Sequence, residues 1–224
     1  MVTPVKHLGR DLYQIPLAPR EAVNAYLLGD VLVDSGYPMN WKRLHAGLGG
    51  SRPRFHALTH AHADHAGSSK RLKEESGLEV WVGENDRELL VSGQPEPGDV
   101  RAGRSLLRRY MSFTGVEPDR LLKAGDEIGA GFVVIDTPGH SPGHVSFWRE
   151  EDRSLICGDV FFNMNMATTA PGLHQPPGMF TPDPQRNRES ERQLAELEPA
   201  LVCFGHGPPL RDPEQLRKFV DRLP

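Results

Sequence analysis

Cysteine and positive charge are both scarce in this chain. Its 224 residues include 2 cysteines, Cys157 and Cys203, so a scaffold of several disulfides is excluded and a reducing compartment is expected. Lys and Arg number 26 against 30 for Asp and Glu, and the formal net charge is −4. Because clustered positive charge supplies most of the affinity for a nucleic-acid backbone, we expect no nucleic-acid partner.

Long apolar stretches are also missing. No run approaches the ~20 residues that cross a bilayer, and the opening MVTPVKHLGRDLYQIPL lacks the apolar core and cleavage site of a secretory signal. We therefore expect a cytoplasmic protein without membrane contact that acts on a small molecule. No tract of low complexity and no shift in composition divides the sequence, so a single domain over residues 1–224 is predicted.

Turn-forming residues are abundant instead, with 20 Pro and 23 Gly. They separate short apolar segments that alternate as β-β-β-α-β-α-β up to residue 82, which predicts a layered α/β architecture. The predicted strands span 11–15, 23–28, 31–34, 55–59, 78–82, 132–136, 144–148, 154–157 and 200–204. The predicted helices span 41–48, 66–75, 84–91, 185–197 and 213–223.

Two segments depart from this alternation. Residues 84–118 combine a predicted helix, a break rich in Gly and Pro and a basic stretch, and we interpret them as a helical insertion. Residues 163–184 (NMNMATTAPGLHQPPGMFTPDP) show little periodicity and are predicted to be a lid loop, called the lid segment below. A loop of this length is uncommon in a compact domain and usually covers a site when it is ordered.

The segment HAHADH places three imidazoles and one carboxylate within six residues, directly after the apolar FHALT. Alternate side chains of an extended chain share a face, so His60 and His62 can converge on one ion. The chain must then turn, which directs Asp64 and His65 to a neighbouring position. Imidazole nitrogen combined with carboxylate oxygen suits zinc, and also iron or manganese. The alternative, a solvated loop that is rich in histidine, does not explain the apolar strand before it.

Three further tracts have the same form, an apolar strand that ends in a metal-binding residue. TPGH follows the strand at 132–136 and supplies His140, GD follows 154–157 and supplies Asp159, and GHG follows 200–204 and supplies His206. Sites in α/β proteins assemble where strands end, because loops converge there while the strands stay rigid. One such residue is a weak signal, whereas four tracts together indicate a metal centre.

In this order HAHADH, TPGH, GD and GHG resemble the metal-binding motifs of the metallo-β-lactamase superfamily. The resemblance implies an α/β (α+β) fold, a four-layer αββα sandwich of two mixed β-sheets flanked by helices. A carboxylate at position 159 resembles the glyoxalase II, lactonase and other dinuclear hydrolase branches, whereas β-lactamases of this fold usually carry Cys or Ser there. Only 18 residues follow His206, so the C-terminal helical domain of glyoxalase II is absent from the resemblance. The motifs imply a first ion held by His60, His62 and His140, a second held by Asp64, His65 and His206, and Asp159 as the bridge.

Seven ligands suit a pair of divalent ions ~3.5–4 Å apart. We expect zinc, with iron or manganese as alternatives, and a bridging hydroxide as the nucleophile that cleaves a small ester, thioester or lactone. Asp64 is the candidate proton shuttle. The alternative function is a mononuclear iron oxidoreductase that resembles persulfide dioxygenases, which share the TPGHSPGH-like run.

Other residues are candidates for contact with substrate or with the ligands. Arg104 and Arg108 would share one face with Arg101 if residues 101–113 were helical, and they are candidates for binding an anionic group. A solvated basic face has the same pattern. Phe162 stands where related lactonases have Tyr. The expected substrate contacts from the region of the lid are Phe162, Met164 and His174, and Asp34 and His144 are expected to hydrogen bond to the ligands.

Overall fold

The computed structural model describes residues 4–95 and 111–224. It contains two mixed sheets of seven and five strands and a separate two-stranded hairpin. The first sheet comprises β1 Lys6–Gly9, β2 Leu12–Pro16, β3 Asn24–Leu28, β4 Val31–Val33, β5 Phe55–Ala57, β6 Glu79–Gly83 and β7 Arg120–Leu122. The second comprises β8 Glu127–Ile128, β9 Phe132–Asp136, β10 Val145–Arg149, β11 Ser154–Gly158 and β14 Leu201–Phe204, and the hairpin comprises β12 Phe162–Met164 and β13 Pro171–His174. The α-helices are α1 Trp41–Leu48, α2 Ala63–Ala66, α3 Ser69–Ser76, α4 Arg87–Ser92, α5 Pro184–Glu196 and α6 Pro213–Val220.

Both sheets change from antiparallel to parallel pairing. In the first sheet β1 to β4 pair antiparallel and β4 to β7 pair parallel, in chain order. The second sheet has the order β14-β11-β10-β9-β8, and only its β11–β14 pair is parallel. Because parallel strands end at the same edge, the segments after β5, β11 and β14 can approach one another.

The two sheets pack face to face around a shared apolar core. Leu28 and Val33 of the first sheet and Phe147 and Ile156 of the second are at most 1% exposed and belong to one cluster. Burying a side chain of this size stabilises the fold by about 1.5–3 kcal/mol. The sheets are covered on both faces, which explains why several strands are apolar throughout rather than alternating.

Helices cover the outer face of each sheet. Leu44 of α1 and Leu72 of α3 pack against the first sheet, and Leu194 of α5 and Leu216 of α6 pack against the second. Helices α5 and α6 each begin at a proline that follows a capping aspartate, a favourable start because proline needs no hydrogen-bond acceptor at that position. The layer order is therefore helix, sheet, sheet, helix, and the expected four-layer αββα sandwich is confirmed.

Several elements differ from the sequence-based expectation. The short strands β1, β7 and β8 were not predicted, because two to four residues with polar members show no clear alternation. The helix expected at 66–75 is divided into α2 and α3, and α2 begins within the HAHADH segment. The lid segment contains β13 and is not irregular throughout, since Phe162 pairs with His174 and Met164 pairs with Pro171.

Across residues 4–95 and 111–224, none of the helices combines the length and apolar character needed to cross a membrane.

Candidate metal centre

Five segments bring the seven predicted ligands to one edge of the sandwich. The turn between β5 and α2 carries His60 and His62, and α2 itself carries Asp64 and His65. The turn after β9 carries His140, and the remaining two ligands follow β11 and β14. The structure brings all seven together in overlapping groups, which are His60–His62–His140, His60–His65–Asp159 and Asp64–His65–His206.

Three imidazoles form the first ligand group, His60, His62 and His140. The Nδ1 atom of His62 lies 3.0 Å from the Nε2 atom of His60 and 3.0 Å from the Nε2 atom of His140. Imidazole nitrogens bound to one tetrahedral zinc ion at 2.0–2.1 Å are about 3.3 Å apart. The three rings therefore already stand close to the spacing that a single ion requires.

Hydrogen bonds fix the tautomers of two of these rings. The hydroxyl of Thr59 donates to Asp34 at 2.9 Å, so it accepts from Nδ1–H of His60 at 3.1 Å. The hydroxyl of Thr181 likewise donates to the carbonyl of Pro177 and accepts from Nδ1–H of His140 at 3.2 Å. With both protons on Nδ1, each Nε2 directs a lone pair at the same point, as a metal ligand does.

Asp64, His65 and His206 form the second ligand group. The Oδ2 atom of Asp64 lies 3.2 Å from Nε2 of His206 and 4.0 Å from Nε2 of His65. Nδ1–H of His65 donates to Asp34 at 2.8 Å, and Nδ1–H of His206 donates to the carbonyl of Ala22 at 2.5 Å. Both rings therefore present Nε2 toward the carboxylate.

Asp159 lies between the two groups. Its Oδ2 atom is 3.4 Å from Nε2 of His140 and 3.1 Å from Nε2 of His206, while its Oδ1 atom is 3.4 Å from Nε2 of His65. A Cβ atom at Gly205 would lie 2.0 Å from Oδ1 of Asp159, so only glycine leaves room for this carboxylate. One side chain thus contacts both ligand groups.

The chemistry of these donors fits metal ions. Nε2 of His65 and Oδ1 of Asp159 are buried and have no hydrogen-bond partner among the described residues. An unsatisfied polar atom in the interior is costly unless something else binds it. Imidazole and carboxylate donors suit divalent zinc, iron or manganese.

Charge separates two kinds of imidazole in this centre. Burial lowers the pKa of His60 and of His140 well below the ordinary value, so both rings are neutral at pH 7. Burial has the same tendency at His206, but the carboxylates of Asp159 and Asp64 outweigh it and raise the pKa of that ring to about 10. In the metal-free protein this protonated ring balances the carboxylates, and a divalent ion would replace that positive charge.

Asp34 holds the HAHADH segment by hydrogen bonds to its last residue and to the residue just before the segment. Its carboxylate is 1% exposed and accepts hydrogen bonds from the backbone N–H of Thr59 at 2.9 Å and from His65 at 2.8 Å. The residue adopts a left-handed backbone conformation with φ of 58°, which Asp tolerates better than most residues. Asp34 therefore positions one ring of the second group directly and, through Thr59, one ring of the first.

His144 holds the backbone of Asp159. Its Nε2 accepts from the N–H of Asp159 at 3.1 Å, and its Nδ1–H donates to the hydroxyl of Thr137 at 2.9 Å. Burial lowers the pKa of His144 to about 3, so the ring stays neutral and keeps this acceptor. Both Asp34 and His144 thus contact the ligands by hydrogen bonds.

A cavity of about 270 Å³ opens beside the ligands. Phe162 lines it and packs on His206, with 4.4 Å between ring centroids. Among the described residues that line it, neither Met164 nor His174 occurs: Met164 is buried and His174 lies on β13. Arg104 and Arg108 lie outside the described residues. Ala61, Ala63, Met166 and Phe180 line it as well, and Tyr37, Gln94, Pro95 and Met111 line it without having been predicted.

Comparison with known proteins places this site in a family. A model described as the metallo-beta-lactamase superfamily matches residues 18–206. The probable metallo-hydrolase YflN of Bacillus subtilis is 30% identical over 203 residues, which cover 80% of this chain and 76% of that protein. The hydroxyacylglutathione hydrolase GloC of Haemophilus influenzae is 34% identical over 116 residues, covering 50% of this chain and 51% of that enzyme.

Solved structures agree with this assignment. The crystal structure of TTHA1623 in a di-iron-bound form is 31% identical with a TM-score of 0.66, and the match covers 88% of this chain and 93% of that one. The BLEG-1 B3 metallo-beta-lactamase is 27% identical with a TM-score of 0.68, covering 95% and 98% of the two chains. Since the family match spans all seven ligands, the chain belongs to the metallo-β-lactamase superfamily of metal-dependent hydrolases.

Proposed function

We propose that this protein cleaves a small ester, thioester or lactone at a centre of two divalent ions. The observation that carries the proposal is the position of Asp159 between the two ligand groups. Its Oδ2 atom lies within 3.4 Å of Nε2 of His140 and 3.1 Å of Nε2 of His206. One carboxylate oxygen within reach of both groups supports a bridge between two ions.

Zinc is the proposed metal, with iron or manganese as alternatives, because five imidazoles and two carboxylates suit all three. Two divalent ions bound there would supply a hydroxide at neutral pH and would polarise the carbonyl group of a substrate. The di-iron form of TTHA1623 shows that a related chain can hold two metal ions of another kind.

Asp64 is the proposed proton carrier. Its side chain lines the cavity and is partly exposed, whereas Asp159 is buried. Burial tends to raise the pKa of Asp64, but the positive charges of His65 and His206 lower it to about 2, so the carboxylate is ionised at pH 7. At the cavity wall it can accept a proton only transiently, because so low a pKa favours release, and we propose that it passes that proton on to the leaving group.

The cavity wall favours an uncharged acyl group. Apart from the ligands, the described residues that line it carry no charge and include four large apolar side chains, Met111, Phe162, Met166 and Phe180. Methionine and phenylalanine form an adaptable apolar surface and exclude water from the reacting bond. An anionic end of the substrate, if present, would have to meet Arg104 and Arg108, which remains a prediction.

The name of GloC supports a thioester, since that relative is a hydroxyacylglutathione hydrolase that matches half of this chain. The carboxylate at 159, which resembles the glyoxalase II branch, favours ester-type bonds over β-lactams. The BLEG-1 B3 metallo-beta-lactamase nevertheless has the same fold, so a β-lactam belongs in any substrate panel.

The proposal is tested by reconstituting metal-free protein with zinc, manganese or iron and measuring hydrolysis of a short-chain ester, an acyl thioester, a lactone and a chromogenic β-lactam. We expect metal-dependent turnover of the ester, thioester or lactone and its loss with a chelator. Turnover of the β-lactam alone, or of no substrate by protein that holds two ions, would refute the proposal.

The same reconstituted protein tests the iron oxidoreductase alternative, which the TPGHSPGH run supports. Oxygen uptake is measured with glutathione persulfide after loading with iron. A protein that holds one iron ion, consumes oxygen rapidly and hydrolyses none of the panel would replace the hydrolase proposal.

A further inference from the structure

Asp86 is a buried carboxylate that belongs to none of the ligand groups. It ends a short 3-10 turn after β6 and is fully buried. Its Oδ2 atom accepts from the backbone N–H of Ala61 at 2.9 Å and from the hydroxyl of Ser141 at 2.7 Å. Its Oδ1 atom accepts from the backbone N–H of Gly143 at 2.6 Å.

These three donors come from two different ligand-bearing turns. Ala61 stands between two ligands of the HAHADH segment, and Ser141 directly follows His140. Asp86 itself comes from a third segment, which contributes no ligand to either group. A single carboxylate therefore joins the turn that carries two rings of the first group to the turn that carries the third ring.

The backbones of these segments also approach closely. A Cβ atom at Gly143 would lie 2.2 Å from the backbone nitrogen of Asp86, and one at Gly83 would lie 2.0 Å from the carbonyl oxygen of Gly143. Only glycine fits at both positions, so the turn after β9 is seated directly on the segment that holds Asp86. The hydrogen bonds and the close packing fix the same pair of turns.

Only a carboxylate satisfies all three donors. Ionised Asp is an acceptor at both oxygens, whereas Asn has one acceptor oxygen and one donor group. Asn at this position would direct its amide group at the N–H of Ala61 or at the N–H of Gly143, whichever way it is turned. One backbone donor would lose its partner inside the protein, which is costly for a buried group.

We propose that Asp86 is a positioning residue for the first metal ion: it sets the distance between His140 and the pair His60 and His62. The inference rests on the metal centre proposed above but not on the substrate. We expect the affinity for the second ion to depend less on Asp86, because the turn that carries His206 makes none of these three hydrogen bonds.

The test is stepwise titration of the metal-free protein with Co²⁺ alone, followed by the absorption bands of the bound ion. We expect Asp86→Asn to lower the affinity for the first Co²⁺ ion by about 10- to 100-fold, the usual effect of losing a residue that orients a metal ligand. The absorption bands of that ion should change as well, because the ring spacing changes. The affinity for the second ion should fall less.

Asp119→Asn is the matched control. Asp119 also accepts a backbone N–H, that of Val80 at 2.8 Å, and an ammonium N–H of Lys73 at 2.7 Å, but it joins no ligand-bearing turn. We expect this variant to bind Co²⁺ as the wild type does, even where its unfolding midpoint is lowered. A folded Asp86→Asn variant with wild-type affinity and absorption bands would overturn the proposal.

Ser141→Ala decides the case if Asp86→Asn does not fold. It removes one donor to Asp86 and leaves all charges in place, and we expect the first ion to bind about fivefold more weakly, as for one hydrogen bond. Unchanged binding by a folded Ser141→Ala variant would then overturn the proposal. A wild-type protein that binds no Co²⁺ would overturn the metal centre itself.

Discussion

The two ligand groups of this centre differ in how they meet a positive ion. In the first group burial lowers the pKa values of His60 and His140, so these two rings are neutral and each carries a lone pair on Nε2. The second group contains a carboxylate, and Asp159 raises the pKa of His65 and of His206 against the tendency of burial. His60 and His140 can therefore bind an ion without losing a proton, whereas His65 and His206 must first release one.

The supports of the rings differ in the same way. Threonine hydroxyls hold two rings of the first group, while a carboxylate and a backbone carbonyl hold the two rings of the second. A hydroxyl accepts a hydrogen bond from a neutral ring without favouring its protonation, whereas the negative charge of Asp34 favours a protonated ring. Charge balance, and not ligand number alone, distinguishes the two positions.

The largest effect is expected from the residue that both groups share. Asp159→Ala should lower the bound metal to at most one ion per chain and should reduce hydrolysis by on the order of 10³-fold, the scale of losing a central electrostatic contact. Metal analysis and turnover of a thioester check this. A variant with two ions and normal activity would show that Asp159 is not the bridge.

A titration at several pH values separates the groups directly. His206, with its pKa raised to about 10, must lose a proton before it can bind an ion, so the affinity of the second ion should fall about tenfold per pH unit for each proton released as the pH is lowered through 7. The affinity of the first ion should depend less on pH, because His60 and His140 are already neutral. Calorimetry in buffers of different ionisation enthalpy measures the number of protons released as each ion binds. Equal proton release by both ions would contradict the proposed difference in protonation between the two ligand groups.

Thr181→Val tests the support of one ring. Valine keeps the shape of threonine but cannot accept the proton of Nδ1 of His140, so the first ion should bind about tenfold more weakly. The second ion should be unaffected, because Thr181 contacts neither ring of that group. A change confined to the second ion in a Co²⁺ titration would contradict this assignment.

The smallest effect concerns a carboxylate that lies outside both groups. Glu191 of α5 is buried and accepts a hydrogen bond from Gln175 at 2.9 Å. Burial raises the pKa of Glu191 to about 7. In contrast, neighbouring imidazoles lower the pKa of Asp64. A raised pKa means that the folded state binds the proton more tightly, so the stability this group contributes is present below pH 4.5 and is lost as the pH rises through 7.

Glu191→Gln should therefore stabilise the protein at pH 8 by about 1 kcal/mol, and by much less at pH 5. Urea unfolding at the two pH values measures the difference. The same stabilisation at both pH values would show that the charge of Glu191 is not responsible.

The sequence was sufficient to predict the layered fold and the convergence of the ligands. Each ligand adjoins an apolar strand in the sequence, so the strand end that carries it could be identified locally, and the resemblance supplied the grouping. The apolar segments around Leu28, Phe147 and Ile156 likewise indicated strands whose burial follows from composition alone.

Two supports of the ligands, Asp34 and His144, could be predicted, because Asp34 stands at the end of an apolar strand and His144 at the start of another, close to the TPGH motif. The other supports could not be predicted, because they join residues that are far apart in the chain. Ala22 and His206 are 184 positions apart, and Thr181 and His140 are 41 apart. Nothing in the local pattern around Asp86 marks it as a partner of Ala61 and Ser141.

One contact connects the wall of the cavity to the metal centre. Phe180 lines the cavity, and the next residue, Thr181, holds the ring of His140. A bulky substrate that displaced Phe180 would therefore act on the residue next to the one that holds this imidazole. A variant whose lid segment is shortened or replaced to admit larger substrates should keep a hydroxyl at position 181. Without it, the variant should bind the first ion more weakly.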